Sequence, residues 1–238
     1  MKKTIGILGG MGPLATADLF RKIVTLTKAS CDNEHIRVYI DSNAAIPDRT
    51  AAILHGGENP LAEMTSALRH LEACGADCLI MPCNTAHYYL PQLRRLTALP
   101  FLSMPEIAAQ SCAERFPGKR AAILATDGTL QTGIYDRALE QAGVPFLHPD
   151  TEEQKDVMHL IYDVVKASAP IEPERGRWRA LLASLRGRGA DFFILGCTEL
   201  PLLAGALAEE GPFVDPTEEL AKAAIRFCGC EVIGEENG

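Results

Sequence analysis

Gly75-Ala76-Asp77-Cys78-Leu79-Ile80-Met81-Pro82-Cys83-Asn84-Thr85 and Gly189-Ala190-Asp191-Phe192-Phe193-Ile194-Leu195-Gly196-Cys197-Thr198 are two versions of one segment. Gly-Ala-Asp matches Gly-Ala-Asp and Cys83 matches Cys197 at a single shift of 114 residues, with no insertion between. In each copy a short apolar run follows the aspartate and stops near the cysteine, the pattern of a strand buried on both faces. The chain therefore consists of two related halves, and the repeat places one thiol at the same point in each.

The duplication extends backward. Ile7-Leu8 aligns with Ile123-Leu124, Gly12 with Gly128, Leu14 with Leu130 and Thr16 with Thr132, all at a shift of 116. Each half begins with an apolar strand, passes through a Gly/Thr loop into a helix, and later reaches the strand that leads to its cysteine. Strands are expected at 4–8, 36–40, 78–81 and 101–103, with helices over 14–29, 61–73 and 86–96. The second half repeats the rhythm with strands at 121–124, 144–147, 192–195 and 213–214, and helices over 132–142, 152–168, 174–187 and 199–209. The fold class is α/β: two pseudo-symmetric domains, each a parallel sheet flanked by helices, with the active site expected in the cleft between them. Proline marks the crossings at Leu99-Pro100 and Gly211-Pro212. A last helix, from Thr217 to about Cys228, has no counterpart at the end of the first half and is expected to return to the first sheet. The domains are thus 1–98 plus 214–238, and 99–213.

Composition bounds what the chain does. Its 238 residues, 47% hydrophobic and 23% charged, suit a globular protein with one large or two small cores. A net charge of -8 with no Lys/Arg run argues against nucleic acid as a partner. No apolar run approaches about 18 residues, so no membrane span is expected. Met1-Lys2-Lys3 and Ala15-Thr16-Ala17 superficially copy a secretory leader, but Gly6, Gly9, Gly10, Gly12 and Pro13 interrupt its apolar segment. Eight cysteines in a chain of this size do not require disulfides, and the reading is free thiols in a reducing cytoplasm.

Ligands of parallel sheets sit at the carboxyl ends of the strands, where Cys83 and Cys197 fall. Helix starts just after them bring free backbone N–H groups, which favour a thiolate. One acid/base group on each side of a carbon can take a proton from one face and return one to the other, inverting the centre. The N–H and hydroxyl groups of Met11, Gly12, Asn84, Thr85, Thr129 and Thr198 are the expected holders of a substrate carboxylate. Cys31, Cys74, Cys78, Cys112, Cys228 and Cys230 are read as structural. Cys74, Cys78, Cys83 and His87 have ligand-like spacing, yet Cys74 ends a helix and Cys78 lies inside a strand, and no paired C-x-x-C occurs; no metal is expected. Gly10-Met11-Gly12-Pro13-Leu14-Ala15 fits a dinucleotide fingerprint, with Asp41 where a ribose-binding acid would stand. Pro13 is awkward there, and such an enzyme gives no reason to duplicate a cysteine, so no cofactor is expected.

Four segments, Gly9-Gly10-Met11-Gly12-Pro13-Leu14-Ala15-Thr16, Ile46-Pro47-Asp48-Arg49-Thr50, Pro82-Cys83-Asn84-Thr85-Ala86-His87 and Gly196-Cys197-Thr198-Glu199-Leu200, together resemble the cofactor-independent aspartate racemases of the Asp/Glu/hydantoin racemase superfamily. The resemblance spans essentially the whole chain. It implies a pseudo-symmetric dimeric enzyme that interconverts L- and D-aspartate, or glutamate, with Cys83 and Cys197 as the acid/base pair. It further implies Arg49 and Lys166 as binders of the substrate's side-chain carboxylate, and Asn43 within reach of the substrate. Glutamate racemases resemble the chain in the cysteine motifs but carry Asp-Ser after the first strand and His after the second Cys-Thr, where this sequence has Gly9-Gly10 and Glu199. Glu199 is read as an ordinary helix N-terminal carboxylate, and His87 either faces the substrate or packs inside. The alternatives are a broad-specificity amino-acid racemase, a single-cysteine relative such as a maleate isomerase or arylmalonate decarboxylase, and a non-catalytic amino-acid-binding module.

Overall fold

The structure, a computed structural model, describes residues 2–209 and 211–235. The chain forms two compact units, Met1–Ile107 with Thr217–Gly238, and Ala108–Pro216. The first contains β1 (Ile5–Gly9), α1 (Pro13–Leu26), β2 (Val38–Ser42), α2 (Arg49–Leu54), α3 (Leu61–Ala73), β3 (Cys78–Ile80), α4 (Leu90–Arg94) and the start of α5 (Met104–Arg115). The second contains β4 (Ala121–Leu124), α6 (Asp127–Gln131), α7 (Ile134–Ala142), β5 (Phe146–Leu147), α8 (Thr151–His159), α9 (Arg175–Gly187), β6 (Phe192–Leu195), α10 (Leu200–Ala206) and β7 (Phe213–Val214). Then α11 (Pro216–Phe227) returns to the first unit.

Both sheets are parallel, ordered β2-β1-β3 in the first unit and β5-β4-β6-β7 in the second. Phe101 bridges Leu79 at the free edge of β3. There the Leu79 N–H donates to the Pro100 carbonyl at 2.9 Å, as the Phe193 N–H donates to the Pro212 carbonyl at 3.0 Å. These pairings set the unit boundaries. Pro100 and Phe101 belong to the first sheet, so the first unit runs to Ile107 rather than to 98; Phe213 and Val214 pair with β6, so the first unit resumes at Thr217 rather than at 214.

Strand residues alternate between two cores. Ile5 and Ile7 of β1 pack with Leu19 and Ile23 of α1 and with Leu220 and Ile225 of α11, while Leu8 and Leu79 face Met64 and Leu68 of α3. In the second unit Ala122, Leu124, Phe193 and Leu195 face Trp178 and Leu182 of α9, while Ile123, Phe192 and Ile194 face Tyr135 and Leu139 of α7. Cys78 and Cys228 share a side-chain hydrogen bond and both lie in the first of these cores.

Several elements depart from the expected ones. The expected helix over 86–96 is a 3₁₀ turn, Thr85–Tyr89, followed by α4. The expected helix over 132–142 begins only at Ile134, after Gly133, as α7, and a separate short helix, α6, precedes it. The stretch 152–168 winds as α8 and then as a π-helix, Leu160–Lys166. Helices α2 and α5 have no counterpart in the sequence reading: α2 is only six residues long, and α5 packs through small residues, Ala108, Ala109 and Cys112, that make no conspicuous apolar stripe.

The repeated Gly-Ala-Asp is a clamp that starts the cysteine strand. Gly75 and its counterpart Gly189 turn through positive φ, 86° and 94°, conformations that glycine adopts without steric cost. The aspartate then binds the neighbouring strand twice. The Asp77 carboxylate accepts the Thr4 N–H at 2.7 Å while its own N–H donates to the Thr4 carbonyl at 2.8 Å. Asp191 repeats both bonds with Arg120, each at 2.8 Å.

Gly10, just past β1, carries a φ of 90°, and a Cβ there would stand 2.2 Å from the Asn43 carbonyl oxygen. Backbone meets backbone, so no side-chain movement can make room. We expect Gly10→Ala to lower unfolding free energy by roughly 3 kcal/mol or more, combining overpacking with a left-handed alanine. At Gly75 a Cβ would meet nothing within 4 Å, so Gly75→Ala should cost only about 1 kcal/mol. Urea unfolding of the two variants checks the contrast; equal losses would refute it.

Candidate active site

Every residue singled out in the first unit lies in a loop or first helical turn at the carboxyl ends of β1, β2 and β3. After β1, the Gly10 N–H donates to the Thr16 hydroxyl at 2.9 Å, and that hydroxyl donates to the Gly12 carbonyl at 3.0 Å. The bonds fold the Met11-Gly12 turn back onto α1. After β2, Asp48 caps α2 by accepting the Ala51 N–H at 2.8 Å. This presents Arg49 inward, where it is buried. Its guanidinium donates to the carbonyls of Pro47 at 3.0 Å, Ile46 at 3.2 Å and Met11 at 3.3 Å. Arg49 thus joins the β1 loop to the β2 loop. Asn43 donates to the Glu63 carboxylate at 2.8 Å, and its own side-chain oxygen accepts the Ala45 N–H at 3.0 Å. Its side chain therefore fixes the loop against α3.

Cys83 follows β3, buried, with Asn84 and Thr85 buried beside it at the start of the 3₁₀ turn. His87 does not face outward. Its Nε2 accepts the Met104 N–H at 3.1 Å, which leaves Nδ1 to carry the proton and donate to the Cys83 carbonyl at 2.8 Å. Burial lowers its pKa to about 4, against a partial opposing pull from the Cys83 carbonyl. His87 is thus a neutral strut that holds the backbone of the Cys83 loop.

In the second unit Cys197 follows β6, buried, and its Sγ donates to Oε2 of Glu199 at 2.9 Å. The Thr198 hydroxyl donates to the same oxygen at 3.2 Å. Burial, reinforced by the Glu199 carboxylate, pushes the Cys197 thiol well above its ordinary pKa; the Lys166 cation and the Glu199 backbone N–H pull it partly back. The sequence expectation of a site that favours the thiolate is therefore corrected at Cys197. Desolvation and a neighbouring carboxylate outweigh the N–H donor, and the resting form is the thiol.

Lys166 ends the π-helix, exposed, with Nζ 4.2 Å from the centroid of the Tyr162 ring and close enough to act on Cys197. Thr129 is buried in the first turn of α6 and turns its hydroxyl to that of the cap residue Thr126, 3.1 Å away. It secures the turn after β4, which matches the turn after β1. Tyr135, wholly buried, has its phenol raised by burial, with Cys112, Asp215 and Cys197 adding to the effect. A cavity of about 690 Å³ opens beside α6 and α8, lined by Asp127, Gln154, Lys155, His159 and Tyr162 among others, but neither Cys197 nor Lys166 forms its wall. The volume of a hollow is therefore a poorer guide to the chemistry here than the thiols.

The sequence reading underrated Glu199, whose carboxylate caps nothing through its side chain and instead takes the thiol hydrogen bond. The signal was its spacing, two residues past the cysteine in a turn that closes from the Leu200 N–H to the Cys197 carbonyl at 3.0 Å. Among the described residues no three His, Cys, Asp or Glu side chains converge in a way that would hold a metal ion, and no helix is long and apolar enough to cross a membrane.

Each of the two parallel α/β units carries a buried cysteine just past an equivalent strand. The chain belongs to the Asp/Glu/hydantoin racemase family, whose profile matches residues 8–224. It is therefore an isomerase of the racemase type. A broad-specificity amino-acid racemase of Bacillus subtilis, RacX, is 27% identical over 227 residues, 93% of this chain and 96% of that protein. The aspartate racemase of Picrophilus torridus superposes with a TM-score of 0.82 at 30% identity, covering 97% of this chain and 96% of that one. A glutamate racemase of Francisella tularensis shares the fold at a TM-score of 0.63 and 18% identity, covering 95% and 81%.

His87 makes stability depend on pH. The unfolded chain takes up a proton near pH 6.5, whereas the folded protein resists until about 4. The stabilisation is complete above pH 6.5 and drains as pH falls through this window, by at most about 1.4 kcal/mol per pH unit. His87→Gln should fall less steeply than wild type between pH 7 and 4.5 in urea unfolding. Parallel profiles would refute the assignment.

Proposed function

We propose that the protein interconverts the enantiomers of aspartate or glutamate by a cofactor-independent, two-thiol proton transfer at Cα. The observation that carries the reading is the equivalence of Cys83 and Cys197, one in each unit, buried at the carboxyl ends of matching strands. One sulfur, as thiolate, takes the α-proton from one face while the other, as thiol, supplies a proton to the opposite face. The reverse direction exchanges the roles. The α-proton is very weakly acidic, so the developing carbanion needs a water-poor site and N–H donors on the carboxylate. The backbone around Met11, Gly12, Asn84, Thr85 and Thr198 supplies such donors in this scheme, with Asn43 and Thr129 holding the loops that carry them. Lys166 and Arg49 supply positive charge for the side-chain carboxylate.

A broad-specificity racemase is the second reading, and Arg49 favours it. The guanidinium already serves three backbone carbonyls, so its first duty is to the loops. A site that leans on Lys166 alone for the distal carboxylate would discriminate weakly against neutral side chains.

The test is α-proton exchange in D2O, followed by NMR and chiral analysis, with both enantiomers of aspartate and glutamate and no added cofactor. Wild type should exchange with inversion, and Cys83→Ser and Cys197→Ser should each lose inversion by at least about 100-fold. Absence of exchange with all four substrates would exclude the acidic amino acids. Inversion of neutral amino acids at comparable rates would establish the broad-specificity reading instead.

A further inference from the structure

Cys197 sits in a place that makes a thiolate hard to form, yet the reverse reaction requires one there. Its sulfur donates to the Glu199 carboxylate at 2.9 Å, and both residues are buried. The Glu199 backbone N–H also reaches the same sulfur. One residue therefore presents to Sγ an acceptor for its proton and a donor for the charge left behind. Cys83 has no such partner within its own motif, where Asn84 and Thr85 stand in place of Thr198 and Glu199.

We propose that Glu199 is the positioning residue that holds the proton of Cys197 while that sulfur acts as a base, an inference that rests on the two-thiol reading above. The S–H bond of Cys197 breaks and an O–H bond forms on Oε2, so the pair carries one negative charge before and after. No second charge has to be buried, which removes the obstacle that desolvation would otherwise raise. The thiolate then bonds the α-hydrogen of one enantiomer, and the C–H electron pair stays on Cα. Cys83 gives its proton to the opposite face and is left as thiolate. Glu199 afterwards loses its proton to water, and Cys83 takes one from water. In the other direction the Cys83 thiolate abstracts, Cys197 donates its proton to Cα, and Glu199 hands its own proton back to the sulfur. The groups that act on the Cys197 sulfur besides Glu199 are Lys166, which favours the thiolate, and Tyr135, which is near enough to feel its charge.

The experiment measures kcat/KM and the α-deuterium isotope effect for each enantiomer of the best substrate, in wild type, Glu199→Gln and Glu199→Asp. Glutamine keeps the shape and loses the basicity. The equilibrium constant of racemisation is one, so kcat/KM must fall equally in both directions, here on the order of 100-fold. The isotope effects must not move together. With the Cys197 step made limiting, the effect should rise for the enantiomer deprotonated by Cys197 and shrink toward unity for the other. The enantiomer that Cys83→Ser still exchanges without inversion identifies which is which. Glu199→Asp, which keeps the carboxylate, should recover part of the rate and show the same asymmetry, and it serves alone should the glutamine variant not fold. A fall in rate with both isotope effects unchanged, or changed alike, would assign Glu199 a purely structural role and overturn the proposal. Absence of racemisation by wild type would instead overturn the two-thiol reading itself.

Discussion

Each unit is governed by the register of a parallel pair, β1 with β3 and β4 with β6. In a parallel sheet all strands finish on one edge, so loops that leave different strands gather there without further design. The pair of hydrogen bonds between Asp77 and Thr4, repeated by Asp191 and Arg120, fixes where the cysteine strand begins beside its neighbour. A slip by one residue would exchange the two cores, because side chains alternate faces. The clamp at the amino end thereby fixes the thiol at the other end.

The surroundings of the two cysteines differ in what their polar groups hold. Around Cys83 the structure spends its polar groups on backbone: Arg49 binds three carbonyls, and His87 holds the Cys83 carbonyl while remaining neutral. Around Cys197 the polar groups meet the sulfur itself, through Glu199 and the more distant Lys166. Burial disfavours the thiolate of Cys197. A carboxylate against the thiol raises the barrier to a second charge but offers a place for the proton, so the pair can rearrange at constant charge. Duplication supplied two equivalent cysteines, and divergence of the residues beside them made the two sulfurs chemically distinct.

The parts of the fold legible in sequence were those set by periodicity and repetition. Continuous apolar runs between amphipathic stretches gave parallel sheets covered on both faces, and the cores bear the alternation that this requires. Elements whose stability comes from packing were not legible. α5 buries small residues that leave no stripe, and the π-helical winding of Leu160–Lys166 follows a stretch that reads as one continuous helix. The strand near Val38 begins two residues later than its apolar pattern suggested, because pairing with β1 sets its ends.

For the candidate site, the sequence by itself determined that two equivalent thiols exist and that each follows a strand, since a repeated motif in a parallel sheet admits few other placements. It also supplied Glu199, Arg49 and His87 as residue types without saying what they touch. Only the tertiary structure decided that Arg49 clasps the loops after β1 and β2, that His87 turns inward to a carbonyl and an amide, and that Glu199 meets the Cys197 sulfur. The physical reason is that periodicity and covalent spacing fix which edge of a sheet a residue reaches. Its protonation and its partner depend on burial and on hydrogen bonds from distant segments, such as Met104 for His87, which exist only once the chain has folded.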